Sequence, residues 1–288
     1  MAKIKYIVVA FCLFISSFAY SQITPYKIYT QKGKEVSIEK VVKNVVNADV
    51  VLFGEFHNNT INHWLQLQVL KELSKQKSVV FGLEMFERDQ QDVINQYLDN
   101  IINEKQFDTL TRFWSNYKTD YKPMVTYAQM NQIPIIATNV PRKYASLLFK
   151  NGEKALMDLP SEEKQFIAPL PFPYDAELPA YKAMLDMFSD ASHANENFPK
   201  AQAIKDATMA YSIIENLNKG DVFFHINGSY HSNNYEGIVW YLKRYKKGLK
   251  IKTLTVVEVD DVHDVKKDDL KLADYIIYLP NDMIKSYE

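Results

Sequence analysis

The sequence predicts an α/β fold: a mainly parallel sheet flanked by helices, with helical insertions over one edge. Three observations predict it. Apolar runs of strand length recur along the chain. They are continuous rather than alternating, as strands buried on both faces require. Helix-like stretches separate most of them, which is the order of a parallel sheet with crossover helices.

The elements follow in chain order. Lys3 and Lys5 precede an apolar run from Ile7 to Phe18 and the small-residue ending Ala19-Tyr20-Ser21. That is the pattern of a secretory signal peptide with cleavage after Ser21, and the run is short for a membrane span. The competing account is a buried N-terminal helix. The only cysteine, Cys12, lies inside this segment, and the residues after it do not make a lipid-anchoring start. The protein is therefore expected to be exported to the periplasm or cell surface without a lipid anchor. The part from Gln22 to Glu288 has no cysteine, so neither disulfides nor thiolate chemistry enter. Its length suits one large core or two small ones; with no Gly- or Ser-rich linker to divide it, it is read as a single domain.

The strand runs are Val50 to Phe53, Val79 to Leu83, Ile133 to Ala137, Val222 to Ile226, Ile251 to Val257 and Tyr275 to Leu279. Between the first two, Ile61, Leu65, Val69 and Leu73 repeat every four residues and mark an amphipathic helix. Asp89 to Leu98 reads as a second helix, and Pro141 opens a third. Pro199 opens a long one with Ala203, Ala207, Ala210, Ile214 and Leu217 on one stripe and Gly220 closing it. Two stretches interrupt this rhythm: an aromatic one at about 100–123 and a proline-rich one at about 156–199. Both are read as insertions, not as a second domain.

In open parallel sheets, ligands bind beyond the carboxyl ends of the strands. Those ends read Gly54-Glu55-Phe56-His57, then Glu84 inside Gly82-Leu83-Glu84-Met85-Phe86, then Thr138-Asn139-Val140-Pro141-Arg142, then Asn227-Gly228-Ser229-Tyr230-His231. Two of them carry the same Gly-x-x-His turn, in which glycine is expected to let the chain bend off the strand. His57, His231, Glu55 and Glu84 are thus candidate ligands of a divalent metal, or an acid–base set. A buried carboxylate needs a partner, so Glu84 is alternatively a salt-bridge residue with Arg88 or Arg142. His63 is expected on the exposed side of its helix, His225 as a hydrogen-bonded core residue, and His263 in a surface loop. A formal net charge of −1 argues against a nucleic-acid partner. The 19 tyrosines and 16 phenylalanines suit a flat ligand.

The strings GEFHNN, FGLEMFERDQQ, DYKPMVTYAQ, ATNVPRKYA, PAYKAML, AQAIKDATMA and NGSYH, in that order from about Val50 to Leu242, resemble the ChaN family of the Tiki/TraB/erythromycin-esterase superfamily. Two features depart from many relatives: NGSYH replaces a Gly-Asn-Gly-His type of turn, and the lipid-anchoring cysteine is missing. The resemblance implies haem binding with a tyrosine ligand to iron, a histidine contribution and two haems paired across a homodimer. Tyr181 in PAYKAML is the family-like tyrosine, with Tyr174 close by and His193 in the neighbouring polar run. Arg142 or Lys143 are candidates for the propionates. Three functions follow. One is a haem carrier of iron acquisition without turnover. The second is a metal-dependent hydrolase using Glu55, His57, Glu84 and His231. The third is a binding partner of an outer-membrane haem-uptake receptor.

Overall fold

Each apolar run becomes a strand whose successive side chains serve opposite faces. Val51 and Phe53 pack with one buried cluster while Val50 and Leu52 pack with the other. A computed structural model describes residues 24–186 and 195–287, so the expected signal segment, Cys12 and His193 lie outside the described residues. The strands are β1 (Lys27–Thr30), β2 (Glu35–Val36), β3 (Val50–Glu55), β4 (Val79–Glu87), β5 (Ile135–Asn139), β6 (Val222–Gly228), β7 (Ile251–Val259) and β8 (Tyr275–Pro280). They form one sheet in the order β2-β1-β8-β7-β3-β6-β4-β5. The run β8-β7-β3-β6-β4-β5 is parallel throughout. The short strands β1 and β2, absent from the sequence expectation, add an antiparallel edge.

Helices cover both faces. On one side lie α1 (Ile38–Val45), α2 (Thr60–Ser74), α3 (Gln91–Leu98), α4 (Glu104–Leu110) and α5 (Lys122–Met130). On the other lie α6 (Arg142–Asn151), α7 (Glu153–Met157), α8 (Ser161–Lys164), α9 (Pro179–Asp186), α10 (Asn197–Asn216) and α11 (Ile238–Tyr245). Local chemistry sets their limits. Asn59 caps α2 by accepting from the N–H groups of Ile61 and Asn62. Asn103 and Gln106 form a reciprocal capping box on α4. The helix expected from Pro199 starts at Asn197 and stops at Asn216, short of Gly220, whose φ of +100° serves the turn into β6.

The sheet centre is dry. Phe81 and Phe224 stack across neighbouring strands at 5.8 Å with no exposure, and each such ring contributes roughly 1.5–3 kcal/mol by burial. The aromatic insertion stays on the α1–α5 face, and the proline-rich one on the α6–α11 face. From there both reach the carboxyl-end rim: Tyr121 donates to Glu55, and Tyr181 donates to Asp206 at 2.7 Å. Among the described residues no helix is long and apolar enough to cross a membrane.

Candidate functional site

Glu55 and Gly228 are the last paired residues of β3 and β6, opposite one another. The two glycines of the turns, Gly54 and Gly228, work by lacking a side chain rather than by bending the chain. Neither has a positive φ. A Cβ on Gly54 would lie 3.0 Å from the Ser229 Cα, and one on Gly228 would lie 2.9 Å from His57 Nε2. They allow β3, β6 and the two turns to close on one another. Phe56, His57, Tyr181, Met184, Phe198 and Tyr230 help to line a pocket of about 490 Å³ there.

The β6 turn is closed. His231 Nδ1 donates to Asp206 Oδ1 at 2.5 Å, and its Nε2 faces Glu84 Oε1 at 3.2 Å. Glu84 Oε2 accepts the Gly228 N–H at 2.6 Å, and Asp206 Oδ2 accepts the Tyr181 hydroxyl. With a carboxylate at each nitrogen, the ring is an imidazolium. Burial opposes its charge, but Glu84 and Asp206 outweigh burial and raise its pKa to about 10. Burial likewise opposes the Glu84 charge, and the His231 cation overcomes it, holding that carboxyl well below the usual range. For Asp206 burial prevails and the pKa is raised. Of the alternative partners of Glu84, Arg88 donates to Ser212, Gln165 and Glu215, and Arg142 is exposed at the start of α6, where its backbone N–H meets Glu87.

The β3 turn is open at one end. His57 Nδ1 pairs with Glu55 Oε1 at 2.8 Å, and its side chain keeps 35% exposure against 7% for His231. Burial works against a charged His57, yet the Glu55 hydrogen bond and the Glu84 charge raise its pKa above the ordinary histidine value. Glu55 is buried, which opposes its charge, but His63 and His57 hold its pKa below the usual value. Behind it, Gln66 Nε2 donates to Glu55 Oε2 at 2.6 Å and Tyr121 donates to Oε1. His63 is buried, contrary to the sequence expectation. Its Nδ1 is paired with Gln66 Oε1 and its Nε2 with the His57 carbonyl, both at 3.0 Å, with Asp120 at 3.6 Å. It faces inward because Asn59, Asn62 and Gln66, spaced as one helical face, are also buried.

The remaining expected residues divide. Tyr181 reaches the pocket with its ring, but its hydroxyl is committed to Asp206 and only 2% of the residue is exposed. Burial and the Asp206 charge push its pKa far up. Tyr174 stacks on Tyr181 at 5.7 Å with the Lys200 ammonium 5.8 Å from its ring centre. Arg142 is exposed at the start of α6 and lines a neighbouring cavity of about 660 Å³ with Arg112, Phe113 and Trp114. Trp114 also meets the His57 ring edge-on at 4.6 Å. His225 is the expected core residue: Thr138 and Asn227 engage its two nitrogens, and burial lowers its pKa to about 4. His263 is exposed, as expected. Glu55, His57, Glu84 and His231 share the rim as two internally paired sets; among the described residues no group of three or more His, Cys, Asp or Glu is arranged to hold a metal ion.

Sequence reasoning missed Asp206 and Tyr230. Asp206 sits on the alanine stripe of α10, one residue before Ala207, and an acid on an apolar face is the signal that could have found it. Tyr230 stands inside the β6 turn, 81% exposed at the pocket mouth.

This arrangement has relatives. The chain is 24% identical over 139 residues, 46% of its length, to Protein RETICULATA-RELATED 5, chloroplastic, of Arabidopsis thaliana, and spans only 19% of that protein. Two solved structures share the fold. One, described as cofacial heme binding to ChaN of Campylobacter jejuni, is 20% identical with a TM-score of 0.69, covering 89% of this chain and 97% of that one. The other, a Bacillus cereus protein, is 11% identical with a TM-score of 0.50, covering 85% and 92%. The profile of the family described as haem-binding uptake, Tiki superfamily, ChaN matches residues 41–242, well over half of the sequence. On that match, and with the fold in agreement, the chain belongs to the ChaN haem-binding uptake family of the Tiki superfamily.

Proposed function

We propose that the protein is an exported haem carrier of iron acquisition, without turnover, and that haem binds at the rim pocket between the ends of β3 and β6. The observation that carries this reading is the make-up of that pocket. Phe56, Met184 and Phe198 supply apolar contact for a flat ring, while His57 and Tyr230 bring polar groups to the same opening. The fit with haem rests on an accessible oxygen donor, because phenolate suits ferric iron. Tyr230 is exposed and its hydroxyl has no hydrogen-bond partner among the described residues. Tyr181 would first have to leave Asp206, so Tyr230 precedes it as the proposed ligand. Arg142, across Trp114 from the pocket, is the cation proposed for a propionate. Bound haem would supply a coordinated iron; the chain's own residues bind it, orient it and shield one face.

The pocket of about 490 Å³ opens at the rim, with Tyr230 exposed at its mouth. The open mouth leaves room for a homodimer in which two haems meet face to face; cofacial heme binding is described for ChaN of Campylobacter jejuni. An outer-membrane haem-uptake receptor is the proposed donor or acceptor. The hydrolase reading would require His231 to give up one of its two carboxylates, whereas His57 could keep Glu55 at Nδ1 and offer Nε2 to an ion.

The test is a hemin titration followed by absorbance, with Tyr230→Phe, Tyr181→Phe and His57→Ala run in parallel. Saturable binding with a tyrosinate-type spectrum, lost in Tyr230→Phe, is expected. Loss in Tyr181→Phe alone moves the ligand to α9. Weak adsorption equal in all variants ends the haem reading, and saturable uptake of Mn, Co or Zn in its place would install the hydrolase.

A further inference from the structure

We propose that the amino-end pole of the sheet is a docking face for an anionic phospholipid surface, an inference that stands apart from the haem reading. The sheet register carries it. Val50 pairs with Ile251 on one side and Phe223 on the other, and Val79 pairs with Val222. The starts of β7, β3, β6 and β4 are therefore adjacent and span roughly 15 Å at ordinary strand spacing. The loops feeding three of these starts bring Lys246, Lys247 and Lys250 before β7, Lys219 before β6 and Lys77 before β4. All but the half-buried Lys77 are exposed, and none of the five side chains has an ion pair or hydrogen bond among the described residues.

The acids at this pole are engaged. Asp49 accepts the Lys250 N–H at 2.8 Å, Asp221 accepts from Asn218 at 3.2 Å, and Glu72 pairs with Lys75. The neutral donors to Asp49 and Asp221 do not cancel those two charges, so five lysines stand against two carboxylates and the pole remains positive, although the whole chain has a net charge of only −1. Helix dipoles offer a competing account, since they draw lysines to the last helical turn. Lys77, Lys219, Lys247 and Lys250 lie beyond the last helical residues Ser74, Asn216 and Tyr245, where that attraction has decayed. An anionic headgroup layer complements several unpaired ammonium groups within one patch, each adding to the attraction within a Debye length. The rim pocket sits at the other end of β3, about 20 Å away. A molecule attached by this pole keeps its pocket turned away from the lipid.

The experiment is co-sedimentation of the full chain with phosphatidylcholine vesicles, with and without phosphatidylglycerol, beside the combined Lys246→Glu, Lys247→Glu, Lys250→Glu variant. Far-ultraviolet circular dichroism checks that the variant folds. The expected result is binding to the anionic vesicles that weakens about tenfold or more in the variant, and similarly when salt rises from about 0.05 to about 0.5 M. Equal binding to neutral vesicles, or binding the variant retains, overturns the proposal. So does tighter binding to an anionic oligonucleotide than to the vesicles.

Discussion

The turns that end β3 and β6 have the same Gly-x-x-His spacing and opposite outcomes. His231 is enclosed by two carboxylates and has little left to offer a ligand. His57 has one carboxylate behind it and an exposed edge in front. The difference comes from outside the motif. Asp206 on α10 and Glu84 on β4 close the β6 turn, whereas at the β3 turn the acid is Glu55, inside the motif itself. Spacing brings a histidine to the rim, and the neighbouring elements decide whether it serves the fold or the pocket.

The largest expected effect tests the closed turn. Glu84→Ala leaves the His231 cation with a single carboxylate and the Gly228 N–H without its acceptor, and should cost roughly 3–5 kcal/mol. His57→Ala at the open turn should cost about 1 kcal/mol or less. Urea unfolding of both variants measures the gap, and equal losses would erase the distinction between the turns.

Next comes pH. The His231 pKa rises from 6.5 in the unfolded chain to about 10 in the fold. Its contribution to stability is therefore complete below about 6.5 and is lost as pH climbs through about 10, a loss on the order of a few kcal/mol. On the acid side, the depressed Glu84 and Glu55 add stability above their ordinary pKa values and lose it as pH falls below them, while the raised Asp206 works in the opposite sense. Asp206→Asn removes one of the two charges that raise His231, so the alkaline loss should begin at lower pH. Urea midpoints across the alkaline range report this, and an unchanged limb would count against a charged His231.

The smallest effect separates the glycines. A methyl group on Gly54 meets the Ser229 backbone, so Gly54→Ala should cost about 1–3 kcal/mol. On Gly228 it meets the far end of the His57 side chain, which has room to swing, so Gly228→Ala should cost under about 1 kcal/mol. Thermal unfolding ranks the pair, and the reverse order would show that His57 is held more rigidly than its exposure indicates.

The six parallel strands were legible because burial on both faces writes them as unbroken apolar runs. β1 (KIYT) and β2 (EV) were not, since short edge strands carry no such signal. Glu55, His57 and His231 were legible at strand ends; Glu84 is expected there too, but β4 continues through it to Glu87. The division into one closed and one open turn was not, because Asp206, Tyr121 and His63 come from separate helical segments and meet the rim only through tertiary packing. His63 was misread because its helix was scored by its leucines, while its polar neighbours Asn62 and Gln66 mark the same buried face.

The last residues of the chain lie against the open turn. The Ser286 N–H donates to the Asn58 carbonyl at 2.9 Å, and its hydroxyl to Asp120 at 2.5 Å. Asn58 Nδ2 donates to the Tyr287 carbonyl at 3.0 Å, and Lys285 meets Glu258. These contacts attach the terminus to the residue after His57. A substitution at Ser286 therefore reaches the open turn: Ser286→Ala removes the hydroxyl bond to Asp120. A reporter meant to leave ligand binding undisturbed belongs on an exposed loop far from the rim, such as the one through Gly248.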